Sequence, residues 1–305
     1  MTVVRVATRG SQLALTQTRW VVDRLREVCP DVAFDIVTFK TTGDKVLNVA
    51  LSQIGGKGLF TKELEEALLD GRADIAVHSL KDMPTELPEG LKLGCVPQRE
   101  DPRDVLITRD GRRLADLPPG ARVGTSSLRR LAQFRAMRPD LEYVPIRGNV
   151  DTRLRKLDEG QVDALVMAAA GLQRMGLAHR ITEYLDPAIC LPAPGQGALA
   201  IEIRAGDDAI GQMVARIHDE AAAVEVRAER ALLAKLQGGC QVPVGVLAER
   251  RGDSLRLQGL IAAPDGSQVI RHAAEGPADA PEQLGEAVAQ WLLDHGGRRI
   301  LEALR

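Results

Sequence analysis

Apolar and polar positions alternate over residues 3–8 (VVRVAT) and again from Phe34 to Thr41, the period-two spacing of half-buried strands. Between them, over 11–29, the spacing changes, and Leu13, Val21, Leu25 and Val28 fall on one side of a helix. The stretch from Thr42 to Gly58 is too polar and glycine-rich to be a regular element. A loop of that length in a compact domain reads as a lid or binding loop. A helical LFTKELEEALLDG and a buried strand ADIAVHS follow it. The same grammar then returns. LLDGRAD at 68–74 followed by IAV is echoed by LDEGQVD at 157–163 followed by ALV: helix end, glycine, aspartate, buried strand. VAT at 6–8 and VGT at 123–125 each precede a polar turn and a helix. The repetition predicts two α/β lobes of similar topology, with ligands in an inter-lobe cleft outside the carboxyl ends of the strands. The proline-bearing REDPRD at 99–104 and LPAPGQG at 191–197 read as crossings between the lobes. From about residue 220 the pattern becomes a helix (AAAVEVRAERALLAKL), three short strands parted by the turns RGD and PDG, and an amphipathic segment over 281–304. That is a third, α+β domain.

Composition narrows the function classes. With 305 residues, 45% hydrophobic and 27% charged, the chain suits two or three globular domains. It holds no apolar run of the roughly 18 residues that a membrane span needs. Its N-terminus enters a strand directly, without the pattern of a secretory signal, so the expected compartment is the cytoplasm. Forty basic against 42 acidic side chains give a net charge of −2, and aromatics are 3%. Neither figure favours a nucleic-acid binder, which draws on excess cations and stacking platforms. Cys29, Cys95, Cys190 and Cys240 lie at least 50 residues apart, outside any metal-ligand spacing. No metal is expected.

Four places carry candidate chemistry. HSLKDMP at 78–84 leaves the buried strand where a cleft would be, and sets Asp82 beside Lys81 for proton transfer or for holding a cationic intermediate. A solvated loop pair is the competing reading. His78 reads as a satisfied strand histidine rather than a base. TSSLRR at 125–130 puts hydroxyl donors at a helix start and two arginines in its first turn, where the helix dipole does not favour cations. Arg129 and Arg130, extended by Arg147 and Arg153 and faced by Arg9 and Ser11 in the first lobe, suit a ligand with several carboxylates. A solvated basic face is the alternative, and phosphate recognition stays open. GGKG at 55–58 lacks the upstream glycine and following Ser/Thr of a nucleotide-binding P-loop, so that reading is rejected. In QGGCQVPVG at 237–245, Cys240 follows two glycines in a turn before a strand, so its thiol is either outward-facing and reactive or a small buried hydrophobe.

Taken in order, VATRGSQLAL, GGKGLFTKELEEALL, ADIAVHSLKDMP, REDPRD, VGTSSLRR, IRGNVDTRL, LPAPGQGA and GGCQVP closely resemble the porphobilinogen deaminase family, over essentially the whole chain. The resemblance implies an α/β, two-lobed fold like type II periplasmic binding proteins, with a discontinuous first lobe (1–98 and 198–216), a second lobe (103–191) and a small α+β third domain (220–305). It implies a transferase that condenses porphobilinogen head to tail with loss of ammonia, on a dipyrromethane cofactor attached through a thioether to Cys240. Asp82 would then be catalytic. Lys81, Thr125, Ser127, Arg129, Arg130 and Arg153 would bind the cofactor; Arg9, Ser11, Gln17, Lys57 and Arg147 would bind substrate. Bacterial members often carry lysine where this chain has Gln53, so one cationic contact of the loop is missing. The family further implies a monomer whose product passes to uroporphyrinogen III synthase. The rival reading is a non-catalytic two-lobed polycarboxylate-binding protein, which needs neither Asp82 nor Cys240.

Overall fold

The computed structural model describes residues 2–45, 58–236 and 242–304. Its strands are β1 (Thr2–Arg9), β2 (Val32–Phe39), β3 (Ile75–Ser79), β4 (Leu91–Cys95), β5 (Asp104–Thr108), β6 (Arg122–Gly124), β7 (Glu142–Val144), β8 (Ala164–Ala168), β9 (Glu183–Tyr184), β10 (Leu199–Arg204), β11 (Val244–Arg251), β12 (Ser254–Ala262) and β13 (Val269–Pro277). One compact unit comprises the described residues up to Glu100 together with Gly197–Ala223; the other comprises Asp101–Gln196 and the described residues from Val224 on.

The first unit is built on a five-stranded sheet of order β2-β1-β3-β10-β4. β1 runs parallel to β2 and β3, while β10 is antiparallel to β3 and β4. The second unit holds the same plan, order β7-β6-β8-β5-β9, with β6 parallel to β7 and β8 and with β5 antiparallel to β8 and β9. Each sheet therefore takes its one antiparallel inner strand from the residues just after a predicted crossing. The expected fold class, paired α/β lobes with a discontinuous first lobe and a smaller α+β addition, is what the chain forms.

The repeat seen in the sequence has an atomic basis. Helix Lys62–Leu69 and helix Val150–Asp158 both end on a glycine with positive φ, Gly71 at 68° and Gly160 at 76°. In each, the glycine N–H returns to the carbonyl three residues back (Leu68, Leu157), and the next N–H returns five back (Ala67, Lys156). This Schellman closure needs the left-handed conformation that glycine adopts without penalty. Two residues beyond each turn an aspartate receives an arginine from the first strand of the sheet. Asp74 Oδ2 accepts from Arg5 N and Nε at 2.9 and 3.0 Å, and Asp163 Oδ2 accepts from Arg122 N and Nε at 2.8 and 3.3 Å. The pair fixes helix end to strand start in both units.

The second unit also carries the antiparallel meander β11-β12-β13, covered by helices Glu220–Lys235 and Pro281–Leu292. Gly285 of the second helix lies against Ala228 O and Ala231 of the first, which leaves no room for a side chain and lets the helices touch. The predicted amphipathic segment over 281–304 is not one helix. It breaks after Leu292 and resumes as Arg298–Glu302, with Gly296 at φ 116° in the break. The apolar period continues through this kink because Leu293 and Ile300 still face the same core, so the break is silent in the hydrophobic pattern.

Cys29, Cys95 and Cys190 are buried. Burial pushes the Cys95 thiol up to about 12, as befits a core residue rather than a nucleophile. Among the described residues no helix is long and apolar enough to cross a membrane, and no cluster of His, Cys, Asp or Glu could hold a metal ion. Lys57, Gln53 and Cys240 lie outside the described residues, as does most of the predicted lid loop.

Candidate functional site

In the first unit, the predicted acid and its partner arise where two strands of the sheet end side by side. β3 leaves the sheet as a single 3-10 turn, Leu80–Asp82, whose Leu80 is buried and whose Asp82 is about one-third exposed. β1 ends at Arg9, and Arg9 Nη1 stands 4.0 Å from Asp82 Oδ2. The Arg9 guanidinium is also stacked 4.1 Å over the Phe60 ring. Phe60 in turn lies against Gly43, where any side chain would collide with the ring. Arg9 is thus held from one face by an aromatic surface and faces a carboxylate, an arrangement that fixes its direction before any ligand arrives.

The hydroxyl and amide residues around it organise the turn. Ser11 caps helix Gln12–Val28, its Oγ accepting from Ala14 N at 3.3 Å. Gln17 is buried, and its Oε1 accepts from Ser79 Oγ at 3.1 Å, which ties the helix to the end of β3 just before Asp82. Thr18 donates to Thr8 at 2.7 Å and completes the junction. Ser11 and Gln17 therefore reach Asp82 and Arg9 through the backbone that carries them. Lys81 lies on the same 3-10 turn as Asp82.

His78, one turn upstream, is buried on β3 with its Nε2 3.0 Å from Glu202 Oε2 of β10, as a satisfied strand histidine should be. Glu65 of helix Lys62–Leu69 joins this cluster. Burial pushes its carboxyl above the usual range and the Glu202 carboxylate adds to the shift. Among the described residues, Glu65 Oε1 and Glu202 Oε1 are buried without hydrogen-bond partners. A carboxyl raised in the folded state favours folding at low pH, and that advantage is lost as pH rises through its folded value. Glu65→Gln, which cannot ionise, is expected to raise the thermal midpoint at pH 8 and to lose that gain below the ordinary glutamate range. Melting curves from pH 4 to pH 8 check this, and a constant offset across the range would refute it.

In the second unit, the predicted arginines come together around one carboxylate. Helix Leu128–Met137 starts at Ser127, whose Oγ accepts from Arg130 N at 3.5 Å; Thr125 Oγ1 accepts from Ser127 N at 3.3 Å. This places Arg129 and Arg130 in the first turn, both buried, so the solvated-face reading does not hold for them. They are kept there by Asp104, the fully buried first residue of β5. Asp104 Oδ2 accepts from Arg129 Nη1 at 2.6 Å, and Asp104 Oδ1 accepts from Arg130 Nε and Nη2 at 3.1 and 2.7 Å. The two guanidiniums hold the Asp104 carboxyl far below the usual range despite its burial.

Two further arginines have no such counter-ion. Among the described residues neither Arg147 nor Arg153 forms an ion pair. Arg153 Nε donates to Gly148 O at 2.8 Å, and Arg147 Nη1 is buried with no hydrogen-bond partner. Burial and the charges of Arg130 and Arg147 push Arg153 down to about 10, which still leaves it a cation at neutral pH. Two guanidiniums on one carboxylate and two more without an ion-pair partner among the described residues, one of them with a buried orphaned N–H, are chemically fitted to a ligand that brings several carboxylates. A polypyrrole bearing acetate and propionate arms meets that requirement.

Residues 4–212 match the family model "Porphobilinogen deaminase, dipyromethane cofactor binding domain", and residues 223–294 match "Porphobilinogen deaminase, C-terminal domain". The chain belongs to the porphobilinogen deaminase family. Curated porphobilinogen deaminases from Desulforudis audaxviator and Pelobacter propionicus are 56% and 54% identical to it, over 99% and 98% of this chain and 98% and 96% of theirs. Among solved structures, the VFT2 domain of BvgS from Bordetella pertussis covers 70% of this chain and 84% of its own, at 19% identity and a TM-score of 0.40. An arginine-specific periplasmic binding protein of Salmonella typhimurium covers 73% of this chain and 94% of its own, at 14% identity and a TM-score of 0.40. As a porphobilinogen deaminase the chain is a transferase with a dipyrromethane cofactor.

One participant in the cluster escaped the sequence reading. In the sequence Asp104 stands only as the end of the crossing REDPRD. The signal was present, since an aspartate opening the otherwise apolar DVLIT has to find cations or stay out of the core.

Proposed function

We propose that this chain is a hydroxymethylbilane synthase. It joins four porphobilinogen molecules head to tail and frees the linear tetrapyrrole by hydrolysis. In each condensation the aminomethyl C–N bond breaks and ammonia leaves. The methylene carbon so exposed then bonds to a pyrrole carbon, which gives up its proton. When bound, the dipyrromethane supplies the free pyrrole carbon from which the product grows, and Cys240 is the residue that holds it.

Asp82 stabilises the positive charge left on the substrate pyrrole as ammonia departs, and it exchanges protons at the aminomethyl nitrogen and at the pyrrole carbon. Arg9, fixed on Phe60, orients a substrate carboxylate beside Asp82. Arg147 does the same through the guanidinium whose Nη1 has no hydrogen-bond partner among the described residues. Arg129, Arg130 and Arg153 hold cofactor carboxylates. Lys57, Lys81, Ser11, Gln17, Thr125 and Ser127 support these contacts, the hydroxyl and amide residues by shaping the two strand-to-helix turns. The observation that carries this reading is the excess of guanidinium over carboxylate, with buried Arg129 and Arg130 sharing Asp104 and with Arg147 and Arg153 forming no ion pair among the described residues, an excess that a polycarboxylate ligand would balance.

The division into 1–98 with 198–216, 103–191 and 220–305, a monomeric state, a cytoplasmic location and delivery of product to uroporphyrinogen III synthase belong to the same proposal. A passive polycarboxylate binder would share the arginines but has no use for Asp82 or Cys240.

Intact mass under denaturing conditions tests it. The wild-type chain, purified or incubated with porphobilinogen, is expected to be heavier than its sequence by two deaminated pyrrole units, and Cys240→Ser is expected at its sequence mass. A wild-type chain that never gains the adduct would overturn the proposal in favour of the passive binder.

A further inference from the structure

The arginine pair is held by a carboxylate whose every position is occupied. Besides the three arginine nitrogens, Asp104 Oδ1 accepts from Gln196 Nε2 at 2.9 Å and Asp104 Oδ2 from the Cys190 thiol at 3.2 Å. The Asp104 side chain is fully buried, and Arg129 and Arg130 are 6% and 8% exposed. The arginines have backbone anchors as well: the same Arg129 Nη1 also donates to Leu191 O at 2.7 Å, and Arg130 Nη1 donates to Val166 O at 2.9 Å. Burial and the neighbouring Asp104 charge push the Cys190 thiol up, so it stays a neutral donor.

The charge count argues against a device for stability alone. One buried carboxylate answers two buried guanidiniums, and an uncompensated buried cation is costly. A structural ion pair would be matched one to one. What the arrangement achieves is direction, since Arg130 is held at Nε, Nη1 and Nη2, and Arg129, held at Nη1 alone, keeps Nε and Nη2 clear of any partner among the described residues.

We infer that Asp104 is a positioning residue for the condensation. It never meets the reacting atoms, but it sets the orientation in which Arg129 and Arg130 receive the carboxylates of the tethered primer. The inference rests on the assignment of those arginines to the cofactor. A tethered primer is not lost when its carboxylates are badly held; it is only misaimed. Loss of Asp104 therefore acts on kcat and on assembly of the primer, while KM for porphobilinogen, set by other arginines, stays.

The test compares Asp104→Asn, Asp104→Glu and Arg130→Leu with wild type, each checked for fold by circular dichroism and thermal melting. Two readouts apply: the rate at which the apo-chain gains the two-pyrrole mass on incubation with porphobilinogen, and kcat and KM of the loaded chain. An ångström of misplacement in a preorganised site can cost about 10²-fold. Asp104→Asn is expected to slow adduct formation by about tenfold or more and to lower kcat about 10–100-fold, with KM within about threefold of wild type. If Asp104→Asn does not fold, Asp104→Glu decides. It keeps the charge but moves the carboxylate by about one methylene, and is expected to show the same kcat-against-KM split at about 3–10-fold. Wild-type loading and kcat in the folded variant, with Arg130→Leu impaired, would overturn the positioning role alone. A lowered melting temperature with both kinetic parameters intact would overturn it as well. Normal loading and turnover in Arg130→Leu would instead remove the arginine assignment, and this inference with it.

Discussion

Asp82→Asn is expected to lower turnover by about 10²–10³-fold, the loss typical when one preorganised group facing a developing charge is removed. Asparagine keeps the shape of the side chain and an acceptor oxygen, so the 3-10 turn at Leu80–Asp82 has no reason to move. What disappears is the negative charge next to the substrate cation and the group that exchanges the proton. Arg9, 4.0 Å away, would also lose its facing carboxylate, which adds a repulsive element to the site. Asp82→Glu retains the charge at a displaced position and is expected to fall between the two. The measurement is steady-state product formation by chains whose intact mass shows the primer in place, so that failure to load is not mistaken for failure to turn over. Near-normal turnover in Asp82→Asn would remove the charge-stabilising role.

Arg147→Leu is expected to separate stability from binding. Before any ligand binds, Arg147 is a liability: its Nη1 is buried without a hydrogen-bond partner among the described residues, and its charge helps push Arg153 down to about 10. Leaving a buried donor unsatisfied costs about 1–3 kcal/mol, so replacing it with an apolar side chain is expected to leave the apo-chain melting no lower than wild type. Ligand binding moves the other way. A charge-assisted hydrogen bond is worth about 1.5–3 kcal/mol, which corresponds to a rise in KM of about 10–100-fold. Thermal melting of the apo-chain beside KM of the loaded enzyme reads both. An unchanged KM would remove Arg147 from the substrate contacts, and a clear drop in melting temperature would assign it a structural role instead.

How much of this was legible depends on whether a signal is local. The Gly-x-x-Asp repeats announced the paired units because a helix end that turns through a left-handed glycine has little choice of residue. The caps at Ser11 and Ser127 were readable for the same reason. The strand carrying His78 and the turn bearing Asp82 followed from a buried run passing abruptly into a polar one. Asp104 was hidden because its role is set by residues 25 and 26 positions away, which pattern does not connect. The kink at Gly296 was hidden because the apolar period runs through it. That Gln17 is buried and ties its helix to the end of β3 through Ser79 was hidden as well, because only packing brings those two residues together.

The order of strands also bears on how the chain matures. The second sheet, β7-β6-β8-β5-β9, draws all its members from Asp104 to Tyr184, an unbroken run. The first sheet waits. Its inner strand β10 is Leu199–Arg204, and until that stretch exists β3 and β4 have no partner between them. On a ribosome, the sheet started first is therefore finished after the second, and its nascent form presents open strand edges while the whole of the second sheet is synthesised. Exposed edges are templates for pairing with other chains. The hundred or so residues between β4 and β10 thus act as a built-in delay, during which the half-made sheet has to be kept from its neighbours.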